Sequence, residues 1–151
     1  MEFLDSNTVT ADITLYAKCT ERTYSLEFDL NGAPGIPPAT QILTKDSAIS
    51  PVQNPTWEGY TFEDWNVETR GQGEYWDLNT RTMDPQNTIL FAQRSPNHYN
   101  VKFDANGGTG TMDNKDYTYG ESKPLFENKY TREGYIFKGW SLGKRWCCRF
   151  F

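Results

Sequence analysis

The chain has 151 residues, with 15 Lys and Arg against 20 Asp and Glu, for a formal net charge of −5. That length holds one medium domain or two small ones. The acidic balance argues against a nucleic-acid binder held by phosphate contacts, which needs a basic excess, and no apolar run approaches the ~18 residues of a membrane span. Met1-Glu2-Phe3-Leu4-Asp5-Ser6 has neither a basic nor an apolar region of signal-peptide type. Leu, Ile, Val and Phe together number only 28, which alone would place the chain near the disordered class. The 23 aromatic residues outweigh that shortage, because each can bury far more area than a Val. With 17 Thr against 7 Ala, the balance favours strands over helices.

In chain order, Tyr24, Leu26, Phe28 and Leu30 alternate with Ser25, Glu27 and Asp29, the pattern of a half-buried strand. Asn31-Gly32 ends it, and both residues tolerate the positive φ of a type I′ turn. Pro34, Pro37 and Pro38 lengthen the loop, and a return strand is expected near 39–44. Residues 46–50 have room for one short helical turn before Pro51 and Pro55. Tyr60 and Phe62 then share a strand face, but Trp65 follows three residues later rather than two, which predicts a bulge or strand end near Asp64. Tyr75-Trp76-Asp77-Leu78 is a short strand, and 87–93 closes the unit.

The chain repeats itself with a period of 75 residues. Tyr24 to Gly32 recurs as Tyr99 to Gly107, and 99 − 24 = 75. Thr56 to Trp65 recurs as Thr131 to Trp140, and Ile13 to Lys18 precedes its match, Thr88 to Gln93, by the same offset. Between 24–65 and 99–140 there are 13 identities in 42 positions, mostly Gly, Asn and aromatics. Residues 1–19 therefore read as the C-terminal tail of a partial repeat and 23–94 as a complete one. Residues 98–142 read as the N-terminal part of a further repeat, joined by the polar linker 94–97. The later copy should have its return strand near 116–119. Residues 143–151 fit no repeat, and their basic, aromatic and doubly cysteinyl character (Gly143 to Phe151) is read as a frameshift or fragment end. The fold expected from these elements is α+β and strand-dominated, with tandem small domains, little helix and a mixed or antiparallel sheet. A unit of this size can hold its own core, unlike a short solenoid repeat.

Phe103-Asp104-Ala105-Asn106-Gly107-Gly108, Tyr119-Gly120 and Thr131 to Trp140 resemble the Listeria–Bacteroides repeat, also called the internalin B-repeat. Trp76 to Met83, Ile89 to Gln93 and Ala11 to Lys18 are similar to its second half, so the resemblance covers roughly 1–142. It implies a β-grasp-like fold, tandem arrays in secreted or wall-attached bacterial proteins, an extracellular location and no catalytic residues. Cys19 and Arg94 depart from the family, which usually places an aromatic there.

The chemistry-bearing candidates have plain structural readings. Gly107-Gly108-Thr109-Gly110 lacks the Gly-Lys-Ser/Thr of a phosphate loop and reads as a turn. Asp104-Ala105-Asn106-Gly107 opens like a calcium loop but lacks its closing Glu. Glu63 and Asp64 are adjacent in a strand, point to opposite faces and read as a solvated edge. His98 has no ligand-spaced partner, and Cys19, Cys147 and Cys148 form neither a disulfide framework nor a zinc motif. No cofactor, metal or catalytic residue is assigned.

Tyr60, Phe62, Trp65, Tyr135, Phe137 and Trp140 read as core. Trp57, Tyr75 and Trp76 are the candidate contacts for a protein partner or a cell-surface glycan, since Arg132 replaces Trp57 in the later copy and no repeat-wide core role requires an aromatic there. The expected function is a non-catalytic surface module, a stalk or spacer with protein-interaction or adhesion capacity. The alternative is a carbohydrate-binding module using exposed aromatics. Because 98–142 lacks closing strands and 1–19 supplies them, Ile13 to Ala17 is expected to pair with 98–142. That pairing would form within one chain or by strand exchange between two.

Overall fold

Five strands build the main sheet: β1 Thr23–Asp29, β2 Gln41–Thr44, β3 Tyr60–Asn66, β4 Tyr75–Trp76 and β5 Thr88–Pro96. They stand in the order β2-β1-β5-β3-β4 in the computed structural model, which describes residues 8–144. β1 runs antiparallel to β2 through Thr23↔Thr44 to Leu26↔Gln41. It runs parallel to β5 through Leu26↔Thr88 to Asp29↔Phe91. β3 is antiparallel to both β5 and β4, so the sheet is mixed.

The alternation in β1 puts Leu26, Phe28 and Leu30 on one face, where Leu90 and Ala92 of β5, Trp65 of β3 and Trp76 of β4 join them. No helix covers this face among the described residues. The helical turn for which 46–50 has room does not form, and the strand-dominated expectation holds with no helix among the described residues. The reason lies in the backbone. Asp46 adopts φ 61 in a tight turn. Its N–H donates to Met83 O at 2.9 Å, and Met83 N–H donates to Ser47 O at 2.9 Å. Two connecting segments thus pair with each other, bridged at Ala48↔Thr82, and drop Ile49, Leu78 and Met83 onto the sheet. Leu26, Met83 and Leu90 are fully buried, each stabilising by roughly 1.5–3 kcal/mol. The opposite sheet face stays open, with Ile42, Tyr75 and Ile89 exposed.

Two sequence details appear in the geometry. Asn31 (φ 52) and Gly32 (φ 84) both take positive φ, and the Asp29 carboxylate accepts the Asn31 N–H at 2.6 Å. The β3–β5 register slips by one residue between Phe62 and Trp65. This bulge turns Trp65 inward against Phe28, at 5.0 Å, and Phe62, at 5.6 Å.

A second sheet has two antiparallel strands, β6 His98–Val101 and β7 Lys115–Thr118. β7 lies one residue earlier than the period of 75 predicts. The shift sets Tyr117, rather than Thr118, opposite Tyr99, because a one-residue slip exchanges the apolar and polar faces. Beyond this hairpin the repeat survives as an aromatic cluster. Phe103–Trp140 at 4.7 Å and Phe137–Trp140 at 5.1 Å reproduce Phe28–Trp65 and Phe62–Trp65. Residues 134–140 form no strand, and Tyr135, Ile136 and Phe137 are exposed. In the first unit the matching residues are strand because β5 pairs with them, and among the described residues no β5 equivalent lies beside 134–140. The expected in-chain pairing of Ile13 to Ala17 does not form: residues 8–22 carry no strand, and Ile13, Leu15 and Tyr16 are exposed. Residues 145–151, with Cys147 and Cys148, lie outside the described residues.

Candidate functional site

The three candidate contact residues do not converge. Trp76 faces the core at 3% exposure, paired with Trp65 across β4 and β3. The Arg81 guanidinium covers its ring 4.5 Å from the centroid. Arg81 is held there by Glu74 and by Asp84 at 2.7 Å, and these carboxylates push its pKa up, with the hydrogen bond to Asp84 the largest cause. Trp76 is thus corrected from candidate contact to core residue. Tyr75, its strand neighbour, necessarily points to the other face and is 66% exposed. Trp57, just before β3, is half-buried and lines a crevice with the core residues Leu30 and Ala92, which places it on the core side. Trp57 and Tyr75 therefore lie on opposite faces.

Trp57 belongs instead to a corner built around Arg94. The Arg94 guanidinium stacks 3.8 Å from the Trp57 centroid and 5.5 Å from that of Tyr60. It donates to Asn31 O at 2.8 Å, tying β5 to the turn after β1. Trp57 and Tyr60 are 5.0 Å apart. The crevice they line with Leu30, Pro55 and Phe62 encloses about 10 Å³, the space of one water molecule. The later copy builds the same corner from another position. Arg132, where Trp57 stands in the first unit, lies 4.1 Å over Tyr135 and donates to Asn106 O at 3.2 Å. One guanidinium thus bonds the Asn-Gly turn and stacks on the corner tyrosine in both units, supplied by the closing strand in one and by the corner itself in the other. The only local sign of this is that Arg94 and Arg132 both stand off the repeat pattern. We expect Arg94→Ala to lower stability by about 1–2 kcal/mol, from the lost charge-assisted hydrogen bond and cation–π contact. A urea midpoint unchanged from the parent chain would contradict that role.

The remaining candidates are occupied by the fold. Asp104 accepts the Asn106 N–H at 2.7 Å, as Asp29 does that of Asn31. The Gly108 and Thr109 N–H groups donate to Ala105 O and Thr131 O, so they are not turned toward an anion. No group of three or more His, Cys, Asp or Glu able to hold a metal occurs among the described residues. His98 is exposed, with Nδ1 3.4 Å from Thr118 Oγ1.

Asp64 departs from the solvated edge expected of it. At the bulge it is half-buried, and its Oδ1 is buried without a hydrogen-bond partner. Desolvation, with Glu63 adding like charge, pushes its pKa up. A carboxyl whose folded pKa exceeds the unfolded one favours folding below the unfolded value and loses that contribution as pH rises through the folded value. Asp64→Asn should therefore stabilise the chain at pH 7 by roughly 0.5 kcal/mol, discounted for solvent screening, and do nothing near pH 3. Equal effects at both pH values in thermal melts would contradict this.

Comparison with known proteins agrees with the repeat. The Listeria-Bacteroides repeat domain matches residues 24–93 and again 99–145, starting points separated by 99 − 24 = 75 residues. The chain belongs to this family. It is 34% identical over 134 residues to a protein of Evansella cellulosilytica described as a Gly-rich membrane protein, covering 85% of this chain and 15% of that one. It is 31% identical over 135 residues to a second protein of that organism, described as a membrane protein, covering 88% and 19%. It is 37% identical over 86 residues to internalin H of Listeria monocytogenes, covering 57% and 15%. The chain thus spans less than a fifth of the length of these relatives. No helix among the described residues is long and apolar enough to cross a membrane.

Proposed function

We propose that the chain is a non-catalytic, extracellular repeat module that spaces other domains of a bacterial surface protein from the cell. The observation that carries this is the parallel pairing of the first and last strands of the complete unit. The chain enters at the start of β1 and leaves at the end of β5, so entry and exit lie at opposite ends of the sheet. From Thr23 to Leu26 and then from Thr88 to Pro96 the strand path advances about 11 residues, or roughly 35 Å per unit at 3.3 Å each. Tension applied through the ends would also load the β1–β5 rungs together in shear rather than one at a time. The family of the chain and the membrane descriptions of two of its relatives support the location.

In this reading each unit is a β-grasp variant whose sheet cover is made by connecting segments in place of a helix. The order β2-β1-β5-β3-β4 with a parallel central pair supports that assignment. Adhesion would use the exposed sheet face, and self-association by strand exchange would use the open second unit. The glycan-binding alternative asks for neighbouring rings on one face, and Trp57 and Tyr75 do not supply them. Antibodies raised against residues 23–94 should label intact cells that make the full-length parent protein, and external protease should remove the signal. Labelling only after permeabilisation would overturn the surface reading.

A further inference from the structure

The two units touch at one corner. Tyr119, the residue after β7, lies over Gly59, the residue before β3. A Cβ at Gly59 would meet the Tyr119 ring carbons at 2.2 Å, and Gly59 has φ +77. Only glycine admits both the ring and the backbone. Tyr119 also meets the Tyr60 ring edge-on, with centroids 5.4 Å apart. Asn97, between β5 and β6, is held from both sides. Its N–H donates to Gly59 O at 2.8 Å, its carbonyl accepts the Tyr119 N–H at 2.8 Å, and its side chain accepts from Thr61 Oγ1 at 2.7 Å. The linker is therefore a hydrogen-bonded continuation of both sheets.

The same corner recurs 75 residues on. Gly134 has φ +76, against +77 at Gly59. Tyr135 N–H donates to Arg132 O at 3.1 Å, as Tyr60 N–H does to Trp57 O at 3.1 Å. A guanidinium stacks on the tyrosine in both. The difference is occupancy. Among the described residues, a Cβ at Gly134 would meet nothing within 4 Å, and Tyr135 is 45% exposed.

We propose that the Gly-Tyr corner is the docking site of one repeat unit for the next. It is filled at Gly59–Tyr60 by Tyr119. Among the described residues it is open at Gly134–Tyr135, where it takes the Tyr119 of a further copy of the second unit. The occupant is a repeat copy because the filled corner holds one, by backbone pairing as well as by the ring. Consecutive units are then set at a fixed angle rather than strung on a flexible link. This rests on the repeat-module reading, and its failure would leave that reading standing, since freely jointed units also act as spacers.

Nuclear magnetic resonance of the full chain tests it. The Gly59 α protons should resonate upfield of ordinary glycine because they lie under the Tyr119 ring, whereas those of Gly134 should not. Amide relaxation should give β1–β5 and β6–β7 one rotational correlation time. Tyr119→Ala should return Gly59 to the ordinary range and split the correlation times, while the core signals of Leu26, Trp65 and Leu90 stay in place. In a chain with residues 66–142 repeated after Trp140, the Gly134 protons should move to the Gly59 position. They should move back when the copied Tyr119 is changed to Ala. Ordinary Gly59 shifts with independent tumbling in the unaltered chain would overturn the docked junction. An unmoved Gly134 in the extended chain, whether or not the added unit folds, would overturn the open corner.

Discussion

Trp65→Ala is expected to unfold the first unit, while the matching change Trp140→Ala leaves its melting intact. Trp65 is 3% exposed and packs on Phe28 and Phe62. Truncating such a side chain costs about 3–5 kcal/mol. A single hydrophobic core in a unit this small rarely supplies more than about 3–5 kcal/mol, so that loss consumes most or all of it. Trp140 keeps the same ring contacts, to Phe103 and Phe137. Its neighbours Tyr135, Ile136 and Phe137 are exposed and pair with no strand among the described residues, so little cooperative structure depends on it. Near-UV circular dichroism during heating separates the two variants. Equal losses of the transition would mean that both units contribute to one cooperative core.

Residues 20–97 alone should melt as a single cooperative transition at nearly the temperature of the full chain, and residues 98–142 alone should show none. The first span holds all five strands of the main sheet and all ten buried apolar side chains of the core. The second holds a four-rung hairpin and an aromatic cluster, and a lone two-stranded hairpin is marginal in water. A cooperative transition in 98–142 would show that its closing strands are dispensable. Loss of the transition in 20–97 would show that the docked second unit is part of the first unit's stability.

The contrast between the units also shows what a local pattern can carry. The β1 alternation, the Asn31-Gly32 turn and the bulge before Trp65 are all encoded within a few residues, and each stands where the sequence places it. Residues 46–50 are different. Nothing local distinguishes a helical turn from the observed one, because its cause is Met83, a residue far along the chain that takes the Asp46 and Ser47 backbone groups. The β7 register departs from the period of 75 by one residue because the apolar alternation that puts Tyr117 opposite Tyr99 outweighs it. At Tyr75 and Trp76, period-two alternation already contradicts a shared contact surface: adjacent strand residues cannot share a face, so one has to enter the core. The Arg94 corner and the seat of Tyr119 on Gly59 join residues far apart in sequence, and only the assembled sheet brings them together.

Amide hydrogen exchange on the full chain tests the central claim most directly, namely that one unit is a self-contained sheet and the next is the same head without its closing strands. Leu26, Phe28, Leu90 and Ala92 should exchange only through global unfolding of the first unit. Amides of 134–140 should exchange by orders of magnitude faster, although their sequence repeats that of 59–65, with the β6–β7 amides between these extremes. Comparable protection at Phe62 and Phe137 would contradict the account, because it would place a paired strand where none of the described residues supplies a partner.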